Sequence, residues 1–196
     1  MNTASKFLSL FVWAALVFWV AASAVPAAAA TYQVDPAHAY ILFRVKHLDI
    51  GYSYGRFDGP DGVIEWDAAA PEKSRIEISV QATNVDTDNE KRDQHLRSAD
   101  FFHVDQHQAI AFESTAVKPT GDDTFEVAGN LTLLGKTRPV TVNVRQTGAG
   151  KDPWGKTRIG FETTFTIQRS DWGMNFMLNG VSDAVDVTVS VEGIRQ

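Results

Sequence analysis

Period-two alternation of apolar and polar residues runs through most of this chain, and in nearly every segment only one face is apolar. Ile41, Phe43 and Val45 oppose Arg44 and Lys46. Ile76, Ile78 and Val80 oppose Arg75, Glu77 and Ser79, and Val185, Val187, Val189 and Val191 oppose Asp186, Thr188, Ser190 and Glu192. The same pattern holds for Ile110/Phe112, Phe125/Val127/Leu131/Leu133, Val140/Val142/Val144 and Ile159/Phe161/Phe165/Ile167. Such alternation marks antiparallel strands wetted on one side. About eight of them, separated by turn signals such as Pro60-Asp61-Gly62, Gly121-Asp122-Asp123 and Gly148-Ala149-Gly150, predict an up-and-down sheet.

A sheet with one apolar face must bury it, and only one short helix is available to help. Thr87 with Glu90 three residues on reads as a capping box, and Arg92, Leu96 and Ala99 recur at helical spacing, predicting a helix near residues 88–98. That helix is too short to cover the sheet. Closure into a barrel remains, and it also removes exposed strand edges. The fold class is therefore all-β: an eight-stranded antiparallel up-and-down barrel, lipocalin-like, with one short helix. Such a barrel is either filled by side chains or wide enough for one slim ligand. Gly129, Ser114, Ala116 and Thr163 fall where the pattern points inward. They fit a tapered, packed barrel and equally a lumen left open for an apolar chain.

The first thirty residues are different material. Lys6 is followed by an uncharged run from Phe7 to Val25, then Pro26 and four alanines, which reads as a secretory leader cleaved before Thr31. The run is also long enough to be an uncleaved membrane anchor. Residues 31–196 then form a single domain. Lys6 is the only charged side chain among residues 1–30, so the body keeps 17 basic against 24 acidic groups, a formal −7 where the whole chain carries −6. An acidic body argues against nucleic acid as partner, and no Lys/Arg cluster is present to attract anionic lipid. The chain has no Cys, so the exported fold owes nothing to disulfides.

Catalytic and metal patterns fail on inspection. His103 and His107 lack a third ligand at metal-binding spacing, and no HExxH is present. Asp86-Thr-Asp88-Asn-Glu90 lacks the Gly and the final Glu of a calcium loop. No Gly-x-Ser-x-Gly elbow or phosphate-binding loop occurs. No metal or cofactor is expected. The chain reads as a binder.

The motifs Phe43-Arg-Val-Lys-His47-Leu48, Thr87–Phe102, Gly129–Val140, Asp152-Pro-Trp-Gly155 and Arg169-Ser-Asp-Trp-Gly173, together with His38, resemble those of the YceI-like family of polyisoprenoid-binding proteins. They lie far apart and in the family's order, covering about Thr31 to Glu192. Two positions depart from it: Ala39 stands where Ser is usual and Gln108 where Pro is common. The resemblance implies a periplasmic, lipocalin-like barrel that holds a long isoprenoid, a link to stress response, and a homodimer. The outward faces show no apolar stripe that would demand one.

On this reading Phe43, Val45, Ile78, Phe112, Val127 and Phe165 line a ligand-filled lumen in which Gly129 leaves room. His47 continues the inward register at the rim. Arg92 and His95 share a helix face. With Arg97 they either fasten the helix by pairing with Asp88, Asp93 and Asp100 or, with Arg169, meet a polar head group such as a pyrophosphate. The ligand is a polyprenyl phosphate or a quinone tail. A fatty acid or fatty amide suits the same lumen. Two other classes remain: an isoprenoid- or quinone-modifying enzyme with His95 or His47 as general base, and an interaction module for a membrane redox protein whose lumen is filled by side chains.

Overall fold

A computed structural model describes residues 29–196. The expected leader lies outside the described residues except for Ala29 and Ala30. Ten strands follow in order: β1 Ala30–His47, β2 Gly51–Phe57, β3 Asp61–Trp66, β4 Arg75–Gln81, β5 Val85–Asp86, β6 Ala109–Pro119, β7 Thr124–Leu133, β8 Lys136–Lys151, β9 Thr157–Gln168 and β10 Val181–Arg195. Among the described residues the one α-helix, α1, spans Glu90–Arg97 between β5 and β6.

The ten strands make eight staves. β2 and β3 pair with successive stretches of β1, through Ile41↔Phe57 and Gln33↔Val63, so they are one interrupted stave. β4 and β5 repeat the device one place over, pairing with β3 and β2. Every neighbour is antiparallel and sequential, and β10 pairs with both β9 and β1, which closes the barrel. Residues 30–195 supply every stave, so the barrel is complete in itself.

Two details differ from the sequence expectation. Gly148-Ala149-Gly150 is not a turn but the end of β8, and the chain reverses at Asp152–Lys156. There Asp152 Oδ1 accepts from the Trp154 and Lys156 amides, and Gly155 sits at φ 89°. Ala116 points outward, because a bulge after Ser114 shifts the register and turns Val117 in. The outer wall of β1 and β2 also exposes Tyr40, Leu42, Tyr52 and Tyr54, interleaved with Arg44, Lys46 and Arg56.

The two ends differ in kind. At the closed end Trp66 packs edge-on against Phe125 and Phe161, with ring centroids 4.9 and 4.7 Å apart, and Tyr32, Val34 and Ile159 complete a buried cluster. Just outside it, Arg158 ties three strands together by bonding Asp35 at 2.7 Å, Asp152 at 3.0 Å and Glu192 at 3.0 Å. The opposite, helix end carries the β1–β2 turn, α1 with the loop to β6, the β7–β8 turn and the β9–β10 connection.

Candidate functional site: an apolar cavity under the helix

Towards the helix end the inward side chains stop meeting. They enclose a cavity of about 220 Å³ lined by residues from every stave. A single water needs about 10–15 Å³ of such space, so this is no packing defect. Among its lining residues only Ser79, Glu162, Thr163 and Arg169 have polar side chains. Phe43, Val45, Val181, Val185 and Val187 point inward yet stay only half-buried, because they face the void rather than one another. Leu96 of α1, then Phe101, Phe102 and Met174 from the loops, roof the cavity. Phe102 stands edge-on to Phe57 at 5.2 Å, which in turn meets Phe43 at 5.6 Å.

The helix is anchored locally. Its N-cap is Asn89, whose Oδ1 accepts from the Arg92 amide at 3.0 Å, not Thr87 as the capping-box spacing implies. Asp88, at φ 57°, turns the chain between the two. Thr87 instead donates through its amide and hydroxyl to buried Asp93 Oδ1 and accepts from Arg92 Nε. Arg97 donates to the carbonyls of Thr83 and Val85, both at 2.8 Å, tying α1 to the β4–β5 stave. His95 bonds Asp100 at 2.8 Å and its ring lies edge-on to Phe101 and Phe176.

Of the residues singled out from sequence, Phe43, Val45, Ile78, Phe112, Val127, Phe165 and Arg169 line the cavity. Arg92, His95, Arg97 and His47 do not. Arg92 and Arg97 fasten the helix through Thr87 and the Thr83 and Val85 carbonyls, not through Asp88 or Asp93; His95 pairs with Asp100 in the loop after the helix, and His47 sits exposed at the end of β1 opposite Gly51. Gly129 does not open the lumen either. A Cβ there would lie 2.4 Å from the Phe112 ring and 2.6 Å from the Glu113 carbonyl oxygen, so the glycine exists to let Phe112 lie across the strand. A larger residue at 129 would push strands apart before it narrowed the cavity.

Among the described residues Arg169 is the one cation that lines the cavity. It is 2% exposed and sits in the turn Arg169-Ser-Asp-Trp-Gly173 that ends β9, where Gly173 at φ 89° reverses the chain. Its guanidinium donates to the carbonyls of Ser182, Met174 and Val181 at 2.8–2.9 Å. No carboxylate lies within ion-pair distance of it among the described residues. Burial holds its pKa below the usual guanidinium value, partly offset by the field of Asp183, which is itself bonded to Ser170. Arginine stays charged under such a shift, so the upper cavity carries a buried positive charge that is balanced only in part, by Asp183.

Sequence reasoning missed Phe57, Leu96, Phe101, Phe102 and Met174, because four of them lie on loops or the helix, where no strand period operates. The adjacent Phe101-Phe102 pair immediately after the helix was the available signal. Among the described residues no group of three or more His, Cys, Asp or Glu is placed to hold a metal ion.

Comparison with known proteins accords with this geometry. A UPF0312 protein of Azotobacter vinelandii is 44% identical over 172 residues, covering 87% of this chain and 90% of the relative. The crystal structure of a Campylobacter jejuni YCEI protein superposes with a TM-score of 0.70 at 27% identity, covering 77% of this chain and 90% of that one. A polyisoprenoid binding domain from Saccharophagus degradans superposes with a TM-score of 0.65 at 16% identity, covering 86% and 99%. The YceI-like domain model matches residues 32–193, and the chain belongs to the YceI-like family.

Proposed function

We propose that this protein is an exported carrier that holds a long isoprenoid, such as a polyprenyl phosphate or a quinone tail, in the cavity under α1. The observation that carries the reading is a cavity walled almost wholly by aliphatic and aromatic side chains with one buried cation near its roof. Each buried CH₂ contributes roughly 0.8 kcal/mol, so about four kcal/mol comes from one isoprene unit. Three or four units offset association costs of about 4–15 kcal/mol. The Saccharophagus degradans domain of the same fold is described as polyisoprenoid binding, which supports the ligand class. Neither His47 nor His95 lines the cavity, so the two histidines that the enzymatic alternative would use as general base are not at the ligand.

Apolar contact alone discriminates chain chemistry poorly, so the polar end decides between an isoprenoid and a fatty acid. The test is mass spectrometry of an organic extract from the purified protein, repeated on Arg169→Gln. An isoprenoid in the wild-type extract is the expected result. Fatty acids alone, or an empty extract together with failure to take up ubiquinone, overturn the reading.

A further inference from the structure

The rim of the cavity has a chemistry that a soluble loop cluster does not need. Leu48 and Ile50 in the β1–β2 turn, and Phe176, Met177 and Leu178 in the β9–β10 connection, are all exposed, Ile50 to 86%. The two loops adjoin: the Leu48 amide donates to the Gly180 carbonyl at 2.7 Å, and a Cβ on Gly180 would touch both Met177 and Leu48. Phe176 stands edge-on to Phe101, a cavity-lining residue, at 5.3 Å. The apolar surface is therefore continuous from the lumen to the outside. Leu48 and Met177 also hold φ 52° and 54°, a backbone region where turns ordinarily use Gly or Asn. The sequence keeps large apolar side chains where sterics favour small or polar ones.

Below these tips the outer wall changes character in a graded way. Tyr52 and Tyr54 stand exposed on β2, about 7 and 13 Å along the strand from Ile50 at the usual rise per residue. They face Lys46 and Arg44 on β1, and the Arg44 guanidinium lies 4.5 Å over the Tyr52 ring. Apolar tips followed by an aromatic and cationic belt match the depth profile of a bilayer interface, where apolar groups sink about 5–10 Å and Tyr and long cations sit among head groups. Among the described residues the closed end offers no counterpart; its one exposed large apolar residue is Trp154.

The geometry points to this rim as a membrane-docking surface, through which the cavity exchanges its ligand directly with a bilayer. The inference rests on the carrier reading above for what is exchanged. The partner is a lipid surface with zwitterionic head groups, since the acidic body and the absence of a basic cluster give no hold on anionic lipid.

The test uses residues 29–196, a barrel complete in itself, with phosphatidylcholine vesicles containing ubiquinone. Flotation and ubiquinone uptake are measured for wild type and for Ile50→Asp/Leu178→Asp, whose changed side chains are exposed and leave the barrel intact. The double variant should float less and take up ubiquinone from vesicles more slowly, each by roughly tenfold or more, while loading from detergent micelles stays equal. A wild type that does not float, or a variant that behaves like it, overturns the inference. So does a rim-mediated dimer, seen as a wild type that sediments as two copies and a variant that sediments as one without any flotation. Flotation with no loading from either source sinks the carrier reading and leaves the docking surface standing, so the two failures are distinguishable.

Discussion

The closed end and the helix end are built from the same alternating strands, yet one is a solid core and the other a cavity. At the closed end the inward positions carry Tyr32, Trp66, Phe125 and Phe161, large rings that meet across the barrel. At the helix end the same faces carry Val181, Val185, Val187, Val45 and Val140, short side chains that cannot span the lumen. Period-two alternation decides which way a residue points; whether large rings converge across the barrel, as Trp66, Phe125 and Phe161 do, decides whether it finds a partner there. The helix and its following loop then cover what the valines leave empty. One end holds the fold together and the other keeps space available.

The largest break in this contrast should come from Trp66→Ala. Its ring contacts two others and is buried, so its removal leaves a hole that cannot collapse, and the expected loss is about 3–5 kcal/mol. Urea unfolding monitored by circular dichroism measures it. A loss below 1 kcal/mol would mean that the closed end is not the stabilising half.

Acid probes the same end from outside. The Arg158 guanidinium and the His38 ring, both bonded to Asp35, lower its carboxyl pKa to about 2. A depressed folded-state value means that Asp35 stabilises the fold above its ordinary value near 3.8 and that this contribution disappears as pH falls towards 2. Its full size is on the order of 2 kcal/mol. The stability difference between wild type and Asp35→Asn should therefore be constant from pH 7 to 5 and shrink between pH 4 and 2. A difference independent of pH across that window would remove the ion cluster as its cause.

An antiparallel barrel of about eight strands was legible because strand periodicity is a local signal, although the interrupted β2–β3 stave showed no such run and Ala116 and His47 read as inward. What escaped had non-local causes. The bulge that turns Ala116 outward follows Ser114, whose Oγ accepts from the Ile76 amide of a neighbouring strand. Gly129 looked like free space in one strand, but its meaning is the Phe112 ring lying over it from the next. Thr87 and Glu90 matched a capping pattern, and the positive φ of Asp88 moved the cap to Asn89. At the site, the walls were readable and the roof was not, since Phe101, Phe102 and Met174 lie on loops without period. Residue type alone makes Arg169 a cation, but its burial against three carbonyls follows from a turn that only the fold assembles.

A smaller effect is expected where the helix joins the barrel. Arg97→Ala removes two hydrogen bonds to the Thr83 and Val85 carbonyls, which should cost about 1–1.5 kcal/mol. Because Arg97 does not line the cavity, relative affinity for a polyprenyl pyrophosphate and a quinone should stay the same. Competition binding checks this. A selective loss of the charged ligand would bring Arg97 to the head group and show that the helix shifts on loading.

The finest test applies one chemical change to both ends. Val34 at the closed end is 2% exposed and sits in the packed cluster, whereas Val187 points inward from β10 but is half-buried against the void. Valine to alanine removes two carbon groups in each case. In Val34→Ala the loss of transfer energy is joined by a new cavity, so about 2 kcal/mol is expected; in Val187→Ala the side chain already faces space, and the loss should stay below about 1 kcal/mol. Both are measured on delipidated protein by urea midpoints at unchanged slope. Adding ubiquinone should then widen the gap between wild type and Val187→Ala, because ligand supplies the contacts that the empty lumen lacks, and leave the Val34→Ala difference as it was. Equal losses without ligand would mean that the valine layer packs like a core, and the division of the barrel into a solid and an open half would fail.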